Sequence, residues 1–282
     1  MRFIRWAGSK VRNLPLYQPH FPTSISGRFI EPMCGAATLA FEWEKRWQGG
    51  ICIGDANTDL MAVYNWLRHA GEEVIKHLEE LADYYKLRGS EEDRRDLYDE
   101  VVQIYNQKED GQRIQSPREA AYFIFLNRTS FNGLYRVNAK GKYNTPFGKL
   151  DHLPHKLSES VREAMKVLQR PDMQLYLHDY QWVLSVAKLG DVVYFDPPFE
   201  GTFTSYTKDN FKGSEQERLR DTALELTNQG VTVYIASSDT PAIRELYEEF
   251  GIVELKSRRS ISCNGDGREH ASELLMFNGV AC

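Results

Sequence analysis

Strand-like and helix-like stretches alternate at both ends of this chain, and a long helical run separates them. That interrupted alternation limits the fold more than any other feature. Residues 28–31 (RFIE) read as a strand, PMCGAA as a turn, and residues 38–47 as a helix. Residues 51–54 (ICIG) read as a second strand, and Asn57 as the cap of the helix that follows. After residue 172 the alternation returns, with strands at 174–177, 191–195 and 231–236 and helices at 215–228 and 241–250. The chain closes with strand-like 252–255 and 272–277 and little between them for a helix, which predicts an antiparallel edge hairpin. Such a pattern calls for an α/β fold with a mostly parallel sheet covered on both faces. From 57 to 126 the period is helical, with Val74, His77, Leu78 and Leu81 on one face and Leu97, Val101, Ile104 and Tyr105 on another. The expected organisation is one domain from 1–56 and 172–282, interrupted by a helical domain over 57–171.

The net charge of −5 hides an uneven distribution. Residues 1–28 carry Arg2, Arg5, Lys10, Arg12 and Arg28 and no acid, and residues 127–149 carry Arg128, Arg136, Lys140, Lys142 and Lys149 and no acid. Residues 71–110 hold thirteen acids against six bases. Basic charge gathered in a few segments of an acidic chain is the footprint expected for a polyanion partner. No apolar run approaches the roughly 20 residues of a membrane span, and MRFIRWAGSK lacks the apolar core of a secretion signal. A cytoplasmic protein is expected, and in that setting Cys34, Cys52, Cys263 and Cys282, which form no CxxC pair, are read as thiols. No metal site is expected.

Three segments carry chemistry. FIEPMCGAATLAF (29–41) has strand, glycine turn, helix order, which lets backbone approach a ligand closely; the alternative is a plain tight β–α turn. Asp55 ends the next strand, where an acid commonly accepts from ribose hydroxyls. DVVYFDPPF (191–199) is a strand that stops on Asp196 because Pro197 and Pro198 remove two backbone donors. A carboxylate, the carbonyl of Pro197 and the ring of Phe199 together suit a planar base with an amino group. A simple strand-terminating turn is the competing reading. LNRTSFNGLYRVNAKGKYNTPFGK (126–149) reads as a basic β-hairpin over about 133–148, turned at residues 140–141, that could enter a DNA groove, with Phe131 and Tyr135 able to stack on bases. An ordinary exposed hairpin is its alternative.

Taken in order, RWAGSK (5–10), FIEPMCGAATLAF, FLNRTSFNGLYRVNAKGKYNTPFG, DPPF and RRSISCNGDGR followed by ELLMFN resemble the Dam-type DNA adenine-N6 methyltransferases over almost the whole chain. The resemblance implies a Rossmann-like methyltransferase fold, a mixed sheet with helices on both faces, plus an inserted helical DNA-binding domain carrying a β-hairpin. It implies S-adenosylmethionine as cofactor, S-adenosylhomocysteine as product, double-stranded DNA as substrate, GATC as the sequence read, a bacterial or phage-encoded chain and monomeric action. Carried over position by position, Trp6, Lys10, Glu31, Gly35, Asp55, Asp179, Tyr180 and Asp196 would bind the cofactor, and Asp196, Pro197, Pro198 and Phe199 would hold the target adenine. Arg5, Leu134, Arg136, Pro146 and Lys149 would contact the recognition sequence, and Phe131 and Asn132 would fill the space left by an extruded base. Asn127, Arg128, Asn138, Arg258 and Arg259 would also meet DNA. Phe199 stands where the family usually has tyrosine, and Lys149 where arginine is frequent, which gives up a bidentate fork. Cytosine-N4 or RNA adenine methylation, a non-catalytic DNA-binding protein on this scaffold and a nicotinamide oxidoreductase are the competing functions.

Overall fold

A computed structural model describes residues 3–107, 114–199, 213–257 and 271–279. The chain forms two compact units, one of Met1–Ser9 and Asp55–Leu177, the other of Lys10–Gly54 and His178–Cys282. The expected boundaries at 56 and 172 thus shift, and the first nine residues belong with the helical insertion. There Asn127 clasps the backbone of Arg5, donating to its carbonyl at 2.8 Å and accepting from its N–H at 2.7 Å.

Seven strands make one sheet in the order β3-β2-β1-β4-β5-β7-β6, with β1 Phe29–Glu31, β2 Ile51–Gly54, β3 Met173–Tyr176, β4 Val192–Phe195, β5 Thr232–Ser238, β6 Gly251–Ser257 and β7 Ala271–Phe277. β1 pairs in parallel with β2 on one side and β4 on the other, and β4 pairs in parallel with β5. Every residue of β1, β2 and β4 is buried, as continuous apolar runs between two covering layers require. The expected terminal hairpin is present. β7 lies antiparallel to both β5 and β6, so the last strand inserts beside the parallel set and β6 takes the edge. In the second unit Phe29 stacks on Trp47 at 4.2 Å and Phe21 on Tyr234 at 4.1 Å. Buried Asp191 accepts from the Arg28 guanidinium at 2.5 Å and from the Arg28 N–H at 2.8 Å, tying together the entry ends of β1 and β4. Because β1 has neighbours reached in opposite directions, the carboxyl ends of β1 and β4 flank the switch point where such sheets bind ligands.

Short helices α1 (Leu14–Tyr17) and α2 (Thr38–Glu42) precede the insertion. The helix expected over 38–47 breaks at Trp43 and continues as a 3-10 turn, Glu44–Arg46. The insertion holds α3 (Thr58–Lys86), α4 (Glu91–Asn106), α5 (Pro117–Thr129) and α6 (Leu157–Leu168). Asn57 caps α3 as expected, accepting from the Leu60 N–H at 2.9 Å. Ala70 leaves helical geometry, and Gly71 next to it admits the side chain of Met165 from α6 where a Cβ would lie 2.3 Å from sulfur. Val74, Leu78 and Leu81 are buried, but His77 pairs with Glu80 at 3.1 Å on the half-exposed flank, and Ile104 is exposed beside buried Leu97, Val101 and Tyr105. The second unit is completed by α7 (Val183–Val186), α8 (Gly213–Asn228) and α9 (Pro241–Leu246). Among the described residues no helix is long and apolar enough to cross a membrane.

Candidate active site and DNA-contacting elements

β4 ends at Phe195 and delivers Asp196 to the switch point, where Pro197 and Pro198 forbid the strand to continue. Asp196 is not simply an exposed cap. Its Oδ1 accepts from the Nζ of Lys10 at 2.9 Å, and the same ammonium reaches Glu273 Oε1 on β7 at 2.9 Å. Lys10 is 4% exposed and Glu273 5%, so these charges are held in a dry setting that demands partners. Glu273 is itself gripped by Asn13 Nδ2 at 2.9 Å and by the hydroxyl of Tyr17. The Lys10 ammonium lies 4.4 Å from the centre of the Phe199 ring.

This arrangement fixes the protonation states. Burial pushes the Asp196 carboxyl up to about 6; Lys10 opposes that rise and Glu273 adds to it. Burial works against the Lys10 ammonium, but Asp196 and Glu273 outweigh it and raise its pKa. Tyr17 and Tyr194, both buried beside the two carboxylates, are pushed well above the ordinary phenol value, by burial first. At neutral pH the centre therefore carries an ionised but poorly solvated carboxylate, which is a strong hydrogen-bond acceptor.

At the end of β1, buried Glu31 accepts from the Ala40 N–H at 3.1 Å and so holds the start of α2. Gly35 (φ +46°) and Ala37 (φ +49°) are left-handed, which keeps the turn tight and free of bulky side chains. Asp55 follows β2 and accepts from the Asn57 N–H at 2.8 Å. Asp179 accepts from the Gln181 N–H at 3.2 Å and pairs with Arg218 at 2.7 Å. Tyr180 is buried, edge-on to Phe195, with the Arg218 guanidinium 5.0 Å from its ring.

In the first unit Trp6 stacks on Tyr135 at 5.9 Å, and Tyr135 donates to buried Asp59 at 2.5 Å. Asn127 also donates to the Gly133 carbonyl at 3.1 Å, and Gly133 (φ +66°) leaves room for the Arg5 side chain, which a Cβ would meet at 2.4 Å. Arg128 is buried, while Arg5, Phe131, Asn132, Arg136, Asn138, Pro146 and Lys149 are exposed and Leu134 is half-buried. Phe131 shows 54% of its surface. The two-stranded ribbon expected over 133–148 is instead a loop with isolated bridges, Val137 to Tyr143 and Ser130 to Phe147. Asn138 N–H donates to the Lys142 carbonyl and Asn144 N–H to the Arg136 carbonyl, but the next rung would need a donor from Pro146, which has none. The Pro146 carbonyl turns to the Phe131 N–H at 2.8 Å instead. The Asn138 side chain accepts from the Lys140 and Lys142 N–H groups and closes the tip. Arg136 grips Asn144 through Nε at 2.9 Å and Nη2 at 2.8 Å, and Lys149 pairs with Glu91 at 3.2 Å. Arg258 and Arg259 lie outside the described residues.

Residues 6–261 match the family model of the D12 class N6 adenine-specific DNA methyltransferases. The chain belongs to this family. It is 31% identical over 98% of its length to the type II methyltransferase M.MjaIII of Methanocaldococcus jannaschii, covering 98% of that protein. It is 30% identical to the type II methyltransferase M1.LlaDCHI of Lactococcus lactis subsp. cremoris, across 98% of this chain and 94% of that one. Against the DNA adenine methylase of Escherichia coli K12 the identity is 30%, across 97% and 93%.

As a D12 class methyltransferase, the protein acts on adenine in DNA, and its family implies S-adenosylmethionine as methyl donor. The residues present fit such a donor. Residues 35–37 of the turn after β1 are Gly-Ala-Ala, with Gly35 and Ala37 left-handed, so a nucleoside can approach the backbone there, and Asp179 beside Tyr180 offers an oriented carboxylate next to a fixed ring. The sequence reading did not single out Glu273, Tyr17 or Arg218. Glu273 had a visible signal, since it is the one charged residue in the apolar run ELLMF.

Proposed function

We propose that this methyltransferase rotates one adenine out of duplex DNA, transfers a methyl group to its N6, and acts within GATC. The observation that carries the reading is the Asp196 corner, a half-buried carboxylate paired with Lys10 and flanked by Phe199. N6 lies inside the base stack, so an enzyme acting on it must extrude the base. Asp196 and the Pro197 carbonyl accept the two N6–H bonds and turn the nitrogen lone pair outward, while Phe199 covers the ring. When bound, S-adenosylmethionine supplies the electrophilic methyl on its sulfonium. The protein contributes orientation and a fixed acceptor whose negative charge meets the positive charge that grows on nitrogen.

Trp6, Lys10, Glu31, Gly35, Asp55, Asp179 and Tyr180 are assigned to the cofactor in this reading. Arg5, Leu134, Arg136, Pro146 and Lys149 are assigned to the recognition sequence, and Phe131 with Asn132 to the gap left by the base. Exposed basic side chains and an exposed aromatic ring support that assignment. The test is methylation of a plasmid followed by digestion with methylation-sensitive nucleases that cut at GATC. Protection at every such site is expected, and cleavage at GATC by an enzyme that methylates other adenines would replace the proposed sequence.

A further inference from the structure

Lys10 makes its closest contact with Asp196 at Oδ1, 2.9 Å from Nζ. The ammonium has a second partner. Glu273 Oε1 lies 2.9 Å from the same nitrogen. Glu273 cannot drift, because Asn13 donates to Oε2 and Tyr17 to Oε1. The third face of the ammonium looks onto the Phe199 ring. One cation is thus divided between a carboxylate that faces the chemistry and one that does not.

We infer that Glu273 is a positioning residue for methyl transfer: it holds the Lys10 ammonium at Oδ1 of Asp196, leaves Oδ2 to the target amine, and draws off enough of the lysine's charge to keep Asp196 a strong acceptor. The inference rests on Asp196 being the acceptor for the target amine. Glu273 touches neither base nor methyl donor in this scheme and acts through Lys10. Among the described residues, the charged and titratable groups facing Asp196 are Lys10, Glu273, Tyr17 and Tyr194; the two tyrosines stay neutral, so the acid limb of activity belongs to Asp196 as tuned by Lys10 and Glu273.

The experiment measures kcat, both KM values and the pH profile of kcat/KM for the parent, Glu273→Gln, Glu273→Asp and Asp196→Ala, on one duplex with a single methylation site. In the parent the acid limb should fall near pH 6. In Glu273→Gln the full lysine charge goes to Asp196, so the limb should move to lower pH, with kcat down about tenfold and both KM values within about twofold. Glu273→Asp, which keeps the charge, should hold the limb near the parental value. An unmoved limb in Glu273→Gln, or a kcat within about twofold of parent, overturns the inference, since a purely structural glutamate would change only stability. Should Glu273→Gln fail to fold, Tyr17→Phe carries the test. Removing the hydroxyl takes away one of the two anchors of Glu273 and loosens its hold on Lys10, so the limb should fall, by less than in Glu273→Gln; a limb that stays or rises overturns the inference. Asp196→Ala separates the two levels, because activity there would refute the functional reading itself whatever Glu273 does.

Discussion

The Asp196 corner and the loop over 134–149 both concentrate charge, and they do so in opposite ways. At the corner, Lys10 and Glu273 are buried, each charge has a partner fixed by the fold, and burial lifts the Asp196 carboxyl to about 6. In the loop, Arg136, Lys140 and Lys149 are exposed, and no ladder of strand pairs holds them. Charge in a low-dielectric setting interacts strongly over short range and is costly to leave unpaired; charge at the surface is screened and adaptable. The first suits a reaction centre whose acceptor must not move. The second suits a surface that meets a phosphate backbone in many registers.

That contrast can be broken by substitution. Asp196→Ala should lower kcat by about a thousandfold or more while circular dichroism shows an intact fold; near-parental turnover would end the role given to the corner. Lys10→Met leaves two buried carboxylates without their cation, which should cost about 3–5 kcal/mol in urea unfolding. It should also raise the acid limb of kcat/KM above the parental value near 6, because the one influence lowering the Asp196 pKa is gone.

The Asp196 carboxyl makes a further prediction about stability. Its folded pKa of about 6 lies above the unfolded value of about 3.9, so the folded state binds this proton more tightly. The contribution is full below about pH 4 and is lost as pH rises through about 6, amounting to about 2–3 kcal/mol. Unfolding free energy between these limits should therefore rise less with pH in the parent than in Asp196→Asn; parallel curves would mean that the carboxyl is not desolvated. In the first unit, Asn127→Ala removes the clasp on Arg5 and Gly133 and should cost about 1–3 kcal/mol. Lys140→Ala should have the smallest effect. It should leave kcat unchanged and reduce the salt dependence of DNA binding by about one phosphate contact.

Much of the fold was readable because its signals are local. The short runs VVYF and ICIG, rich in β-branched and aromatic residues and bounded by turn residues, fit doubly covered strands, and Asn57 announces its helix through its own side chain. The hairpin was over-read for a local reason too, since alternating residues on both sides of a turn look like a ladder until Pro146 is counted as a missing donor. The shift of residues 1–9 into the helical unit was not readable, since it depends on Asn127 meeting Arg5 across 122 positions of chain. The same holds for the site. Asp196 and its prolines stand out in sequence as a strand that cannot continue, whereas Asn13 and Glu273 are 260 positions apart.

The sequence by itself determined where strands end, where helices begin and that an acid would stand on a rigid corner, because missing donors and side-chain period act over a few residues. Only the tertiary structure decided that a lysine from the first turn would be shared between that acid and a glutamate from the last strand. Burial and ion pairing depend on which distant segments the fold brings into one dry place, and no local pattern encodes that.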